Sequence, residues 1–181
     1  MGNKAVFIDR DGTINVNYGY INNPDDFKMY PNVAKGIKLL QENGFKIIII
    51  TNQSGIARGY FSEKSLEEIH DKMKKELSKE DTGVDAIYYC PHHPDENCNC
   101  RKPKPGMLEQ AIKDFDIEIK DSYIIGDRML DVEAGKIIGC KTVLIPEDKE
   151  LVKKEMTESD IDPDIVCDDF YSGIEWIIKN S

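Results

Sequence analysis

Residues 4–13 read Lys4-Ala5-Val6-Phe7-Ile8-Asp9-Arg10-Asp11-Gly12-Thr13, a short apolar run that turns abruptly to charge. The apolar half is typical of a strand buried inside a parallel sheet. In such a sheet the chemistry lies beyond the carboxyl ends of the strands. Because residues two apart after a strand can face the same pocket, Asp9 and Asp11 are predicted to act together. An isolated Asp-x-Asp-Gly could also be a simple turn, since both residue types favour turns.

Similar apolar runs recur along the chain and alternate with helical patterns. Further strands are predicted at residues 45–50, 86–89, 123–125 and 142–145, with a weaker one at 165–166. Apolar residues at helical spacing predict helices over residues 33–40, 66–77, 105–115, 130–138 and 170–179. This order predicts an α/β fold with a doubly wound, mainly parallel sheet, in one domain over residues 1–181.

Local signals predict where several of these helices begin and end. Ser62 is the expected N-cap of the second helix, and Gly44 and Gly139 are expected helix stops. The charged residues 149–162 are predicted to form a solvated helix or loop. Neither the segment between Asp11 and Thr51 nor the one that follows Thr51 has room for a cap domain, so we expect an open pocket.

Composition and charge limit the classes of function. The chain has 181 residues, of which 40% are hydrophobic and 32% charged, enough for one globular domain with its own core. Because no run approaches the roughly 18 apolar residues of a membrane helix, and residues 1–8 lack the apolar core of a secretory signal, we expect a cytoplasmic protein. A net charge of −10 without a long basic run disfavours nucleic acid as a partner. We expect a monomer that acts on a small molecule.

Four polar clusters follow predicted strands and should converge on one pocket. They are residues 9–13, 51–55, 101–102 and 126–128. Asp9 can attack a phosphorus atom, while Asp11 serves as general acid and then as general base. Asp127 can join Asp9 in holding Mg²⁺, which prefers carboxylate, phosphate and water oxygens. Lys102 and the Thr51 hydroxyl can stabilise the phosphoryl oxygens.

A second metal is predicted from a Cys/His cluster. Its candidate ligands are Cys90, His92, Cys98 and Cys100. Three thiolates and an imidazole satisfy tetrahedral Zn²⁺ and leave no open position, so this zinc is expected to be structural and to brace the loop before Arg101 and Lys102. A loop of reduced cysteines without metal is an alternative, and His93 is a rival ligand to His92. His70 is expected to be a half-buried packing residue of its helix.

Four motifs resemble those of the haloacid dehalogenase superfamily and, more narrowly, those of the D-glycero-D-manno-heptose 1,7-bisphosphate phosphatases. They are Phe7-Ile8-Asp9-Arg10-Asp11-Gly12-Thr13, Ile50-Thr51-Asn52-Gln53-Ser54-Gly55-Ile56-Ala57-Arg58-Gly59, Cys98-Asn99-Cys100-Arg101-Lys102-Pro103 and Ile125-Gly126-Asp127-Arg128. The resemblance covers residues 4–145 and implies a haloacid dehalogenase-like fold without a cap domain and with a zinc-bound loop.

The resemblance also implies roles for individual residues. Asp9 would be the nucleophile that forms an aspartyl-phosphate, Asp11 the acid and base, and Thr51 and Lys102 the phosphoryl stabilisers. Magnesium would be held by Asp9, Asp127 and the backbone carbonyl of Asp11, and His92 would be the zinc ligand. Asp131, one helical turn past Asp127, is expected to be a capping or supporting residue. The implied substrate contacts are Asn17, Tyr18, Gly19, Tyr20, Asn52, Gln53, Ser54, Arg101 and Arg128.

The implied substrate is a small phosphorylated sugar that loses its 7-phosphate. A second phosphate would meet Arg101 and Arg128, whereas the ammonium of histidinol phosphate would favour carboxylates. Histidinol phosphate remains the alternative, because the five residues between His92 and Cys98 resemble the short loop of the histidinol-phosphate phosphatases. A polynucleotide 3′-phosphatase and a catalytically inactive, zinc-stabilised binding module are further alternatives.

Overall fold

A computed structural model describes residues 2–181 of the chain. Within that range six strands alternate with helices. The strands are β1 (Ala5–Ile8), β2 (Lys46–Asn52), β3 (Ala86–Cys90), β4 (Tyr123–Gly126), β5 (Lys141–Leu144) and β6 (Ile165–Val166). The helices are α1 (Val33–Glu42), α2 (Glu63–Ser78), α3 (Gly106–Phe115), α4 (Met129–Ile138), α5 (Lys149–Glu158) and α6 (Phe170–Lys179).

The strands form one parallel sheet in the order β3-β2-β1-β4-β5-β6. Ile8 at the end of β1 is in register with Ile49 on one side and Ile125 on the other. The strand order reverses at β1, and a crevice at such a reversal is the usual ligand position in open α/β sheets. The predicted doubly wound fold is confirmed, and the crevice lies where the first and fourth polar clusters begin.

The sheet is buried on both faces by helices. Residues of α1, α2 and α6 pack on one face, among them Val33, Ile69 and Ile174, and residues of α3 and α4 pack on the other, among them Leu108 and Ala134. All four residues of β1 are fully buried, which explains why this strand is continuously apolar rather than alternating.

Most predicted helix ends are also found. The Ser62 hydroxyl accepts from the backbone N–H of Ser65 at 3.1 Å, and Gly139 ends α4 with a φ of 84°. The charged stretch after residue 148 forms α5, capped by Asp148 and attached to the rest of the fold by the buried Val152. No helix within residues 2–181 has the length and apolarity needed to cross a membrane. The same range contains no cap domain.

The close packing of α4 on the sheet yields a stability prediction. A Cβ added at Gly135 would lie 2.3 Å from Cγ2 of Ile124 and 2.7 Å from Cγ2 of Thr142. Gly135→Ala gains about 1 kcal/mol in helix propensity, but overpacking costs about 1–3 kcal/mol. We expect a net loss in the free energy of unfolding, measured by urea denaturation. Gly83→Ala, whose Cβ would meet nothing within 4 Å, is the control and should change stability by less than about 0.5 kcal/mol. Equal stability of the two variants would contradict this packing argument.

Candidate active site

Side chains from three strand ends and one loop line a single cleft of about 170 Å³. Asp9 follows β1, Thr51 is the second-to-last residue of β2, Asp127 follows β4, and Lys102 comes from the loop before α3. All four are buried, Asp9 being the most accessible at 8% exposure. The structure therefore brings together the four residues that the strand-end argument placed in one pocket.

Lys102 occupies the centre of this group. Its Nζ donates to Asp9 Oδ1 at 2.6 Å, to Asp131 Oδ1 at 2.6 Å and to the carbonyl of Ile50 at 2.8 Å. Three acceptors satisfy the three hydrogens of an ammonium. Burial alone would lower the pKa of Lys102, but the two carboxylates raise it, so the side chain is charged at neutral pH.

The carboxylates outnumber this single cation. Oxygens of Asp9, Asp127 and Asp131 lie within 4.8 Å of one another. Burial raises the pKa of Asp9 to about 6 even though the Lys102 ammonium opposes the shift. Burial, together with the negative charge of Asp9, raises the pKa of Asp127 to about 9. Such a cluster is short of positive charge, and oxygen ligands suit a hard divalent cation such as Mg²⁺.

Asp131 has a supporting position at the start of α4. Besides its contact with Lys102, its Oδ2 accepts from the backbone N–H of Arg128 at 3.3 Å, which caps the helix. The expectation of a capping or supporting residue agrees with these two contacts. A carboxylate there also complements the positive end of the helix dipole.

The carboxylate of Asp11 points toward a different set of partners. Arg10, only 1% exposed, donates through Nη2 to Asp11 Oδ2 at 2.7 Å and through Nε to Oδ1 at 3.2 Å. Asn15 donates to Oδ1 at 3.0 Å and Gln53 to Oδ2 at 2.9 Å. Burial by itself would raise the pKa of Asp11, but the Arg10 guanidinium and these hydrogen bonds hold it below its usual value. Gln53 also donates to Thr51 Oγ1 at 2.8 Å and so links two of the predicted catalytic residues.

Seven of the nine predicted substrate contacts line the cleft. They are Asn17, Gly19, Tyr20, Asn52, Gln53, Arg101 and Arg128. Tyr18 and Ser54 do not line it, since Tyr18 is 57% exposed and Ser54 is buried.

Three of these lining residues have specific neighbours. The Asn52 amide accepts from the Lys102 backbone N–H at 3.0 Å and donates to its carbonyl at 3.2 Å, so it holds the lysine loop. Arg128 donates through Nε to Glu155 Oε1 at 2.8 Å. Arg101 has a buried Nη1 without a hydrogen-bond partner, which makes it a candidate to receive an anion.

The Cys/His cluster is assembled at the end of β3. Sγ of Cys100 lies 3.2 Å from Sγ of Cys90 and 3.5 Å from Sγ of Cys98, and Nδ1 of His92 lies 3.2 Å from Cys100. The four ligand atoms all fall within 4.8 Å of one another and could hold a metal ion. His93 lies outside the cluster and caps a short turn, accepting from the backbone of Asp95.

Comparisons with known proteins agree on one family for this chain. A family model described as HAD-hydrolase-like matches residues 99–172. A D-glycero-beta-D-manno-heptose-1,7-bisphosphate 7-phosphatase from Haemophilus ducreyi is 45% identical over 170 residues, which cover 89% of this chain and 93% of the relative. A probable D-glycero-D-manno-heptose-1,7-bisphosphate 7-phosphatase from Thermoplasma volcanium is 46% identical over 69% of this chain and 86% of its own length.

Solved structures give the same result. The crystal structure of a D,D-heptose 1,7-bisphosphate phosphatase from B. bronchiseptica, complexed with magnesium and phosphate, matches with a TM-score of 0.88 and 32% identity over 98% of this chain and 99% of that one.

The chain belongs to the heptose 1,7-bisphosphate phosphatase family.

Family membership confirms the resemblance inferred from the four motifs and makes the protein a phosphatase of the haloacid dehalogenase type. Some site residues of this family member had not been identified from the sequence. Asn15, which holds Asp11, and Glu155, which holds Arg128, have no local motif. His70 is not merely a packing residue: it is 6% exposed, and its Nε2 lies 3.1 Å from Nη1 of Arg10.

The excess of carboxylates predicts a pH-dependent stability in magnesium-free buffer. The pKa of Asp127 is about 9 in the folded state against an ordinary value of 3.8. Between these values the folded state binds the extra proton, so its stability falls as the pH rises. Asp127→Asn removes that loss, and we expect the variant to be more stable than the parent by about 1–2 kcal/mol at pH 8, with a difference that shrinks toward pH 5.

Asp131→Asn is the matched comparison, because it removes a carboxylate that Lys102 needs. It should lower the free energy of unfolding by about 1–3 kcal/mol under the same conditions. Urea denaturation of the three proteins across this pH range measures both effects. If Asp127→Asn were less stable than the parent at every pH, repulsion among Asp9, Asp127 and Asp131 would not explain the pH dependence.

Proposed function

We propose that this protein hydrolyses the 7-phosphate of D-glycero-D-manno-heptose 1,7-bisphosphate through an aspartyl-phosphate on Asp9. The observation that carries the proposal is that one cleft contains an anchored carboxylate and a guanidinium with an unused hydrogen-bond donor. Asp9 is held by Lys102, while the cleft also contains Arg101 with its buried, unpartnered Nη1. Leaving such a donor unpaired is costly, and a phosphoryl oxygen would satisfy it. The names of the relatives support a heptose bisphosphate as the substrate.

In the first step Asp9 attacks the phosphorus atom and the bond to the sugar oxygen breaks. Because the free site keeps Asp11 ionised, Asp11 must gain a proton as the phosphate dianion binds beside it. It then gives that proton to the departing oxygen, and in the second step it takes a proton from the water that hydrolyses the aspartyl-phosphate. The charge of Lys102 keeps Asp9 oriented and offsets negative charge at the reacting centre. Thr51, already positioned by Gln53, has its hydroxyl at the same strand end as a donor to phosphoryl oxygens.

Asp9 and Asp127, with the backbone carbonyl of Asp11, would hold magnesium. When bound, the ion supplies positive charge that lets an anionic carboxylate approach a phosphate dianion. The raised pKa values of Asp9 and Asp127 fit this assignment, because burial and then the neighbouring carboxylates disfavour the charged form of each residue, and a bound cation would offset both effects. The crystal structure of the B. bronchiseptica relative is described as containing magnesium and phosphate, which supports the same reading.

Turnover on three esters tests the proposal. We expect the parent protein to have its highest kcat/KM on heptose 1,7-bisphosphate, a lower value on histidinol phosphate and a lower one on p-nitrophenyl phosphate, because the latter two lack a second phosphate for Arg101 or Arg128. Asp9→Asn should abolish turnover on all three, since an amide is not a nucleophile here. Asp162→Asn, at an exposed position, is the matched control and should retain activity.

Two results would overturn this function. One is a preference of the parent for histidinol phosphate, which would replace the sugar assignment. The other is measurable turnover by Asp9→Asn in a sample shown by mass spectrometry to be free of deamidation, which would exclude the covalent route.

We also propose that the Cys/His cluster holds one structural zinc ion. Three thiols and one imidazole are the donors that zinc prefers, and four protein ligands leave no position for catalysis. The last ligand, Cys100, directly precedes Arg101 and Lys102, so the ion would stabilise the loop that positions both cations.

Metal analysis and thermal unfolding test the zinc proposal. We expect one zinc per parent chain, and a Cys100→Ser protein that loses zinc, unfolds at a lower temperature and has reduced activity because Lys102 is displaced. Cys167→Ser, at a half-buried cysteine outside the cluster, should keep its zinc. Absence of zinc from the parent, or unchanged stability of Cys100→Ser, would contradict the proposal.

A further inference from the structure

We propose that His70 is a positioning residue for the general acid Asp11 and acts on it through Arg10. The inference rests on the proposed function, since it assigns His70 to the acid step of that reaction. His70 lies on α2, and no residue of this helix is among those that line the catalytic cleft. Within residues 2–181, the buried guanidinium of Arg10 connects His70 to Asp11.

The geometry of Arg10 divides its donors between two partners. Nε and Nη2 donate to the Asp11 carboxylate, and Nη1 faces Nε2 of His70 at 3.1 Å. Arg10 is among the largest side chains that are fully buried, so its guanidinium cannot exchange a lost protein acceptor for bulk water. An acceptor at the His70 position therefore fixes Nη1 and the orientation of the Arg10 guanidinium plane. That orientation sets the direction in which Arg10 holds the Asp11 carboxylate.

The imidazole of His70 can accept a hydrogen bond from Arg10 and does not repel its positive charge. Burial and the neighbouring Arg10 charge lower the pKa of His70 to about 3, so the ring is neutral at physiological pH. Since Arg10 can only donate, the ring nitrogen that faces it must carry the lone pair. The ring of Tyr89 on β3 lies beside the imidazole at a centroid distance of 6.3 Å and limits its movement.

A misplaced general acid has a recognisable kinetic effect. Proton donation matters when the departing group is a sugar alkoxide, a poor leaving group, and matters little when it is nitrophenolate. kcat/KM covers only the steps up to formation of the aspartyl-phosphate, so it isolates acid function from the later hydrolysis step. Loss of His70 should therefore lower kcat/KM on the sugar phosphate selectively, whereas a general structural defect would lower both values together.

Four variants on the two esters test the inference. His70→Leu removes the acceptor, and we expect kcat/KM on heptose 1,7-bisphosphate to fall on the order of tenfold more than on p-nitrophenyl phosphate. His70→Gln, whose side-chain carbonyl can accept from Arg10, should recover most of that loss. Met73→Leu, buried on the same face of α2, controls for repacking and should show no selectivity between the esters. Asp11→Asn sets the selectivity expected for complete loss of the acid.

The outcomes separate this inference from the function on which it rests. If Asp11→Asn is selective but His70→Leu lowers both esters equally, or neither, His70 has no positioning role and the proposed function stands. If Asp11→Asn shows no selectivity, the acid role of Asp11 is wrong and the inference falls with it. A His70→Gln protein as defective as His70→Leu, with parent-like thermal stability, would also overturn the role of the acceptor.

Discussion

The buried ammonium of Lys102 is the interaction on which the site depends. Three carboxylates meet at the reversal of the sheet, and in a low-dielectric interior they repel each other strongly. Lys102 contacts two of them directly, which allows Asp9 to remain an anchored carboxylate in a place where burial alone would favour its protonated form. One ammonium does not neutralise three acids, so the folded protein keeps a site that attracts a second cation. The unbalanced charge lowers the stability of the folded protein, and the proposed binding of a metal ion and a phosphate would relieve that loss.

The position of Lys102 is in turn fixed by β2 and by the Cys/His cluster. Its ammonium donates to the carbonyl of Ile50, and its own peptide groups are held by the Asn52 side chain, both on β2. Upstream, the Cys/His cluster begins on β3 and ends at Cys100, two residues before the lysine. β2 therefore fixes the direction of the Lys102 side chain, and the Cys/His cluster fixes the start of the loop that carries it. For this reason the ammonium of Lys102 is held in a defined position although the residue lies on a loop.

Features encoded by adjacent residues could be predicted from the sequence, and features that depend on distant pairs could not. The apolar runs of β1 and β2 indicate fully buried strands, and a polar residue that directly follows such a strand has little choice of direction. His70 and Glu155 lie instead on amphipathic helices, where polar residues are expected on the solvent face. Only the packing of α2 and α5 decides which of their polar side chains turns inward to meet Arg10 or Arg128. No local pattern reports that choice.

The cleft is large enough for the reacting phosphoryl group but not for a whole substrate, so substrate selectivity depends on residues around it. Its volume of about 170 Å³ is below the roughly 300–1,000 Å³ of pockets that enclose a whole organic ligand, so it suits a phosphoryl group and little more. Because residues 2–181 contain no cap domain, the proposed substrate would extend out of the cleft beside residues such as Tyr20 and Arg128. Substrate selectivity would then come from charged side chains held in fixed orientations, because the cleft does not enclose the substrate. The Glu155 contact holds Arg128 in one orientation, which reduces the side-chain entropy lost when an anion binds. A small open phosphatase can in this way select its substrate with few contacts.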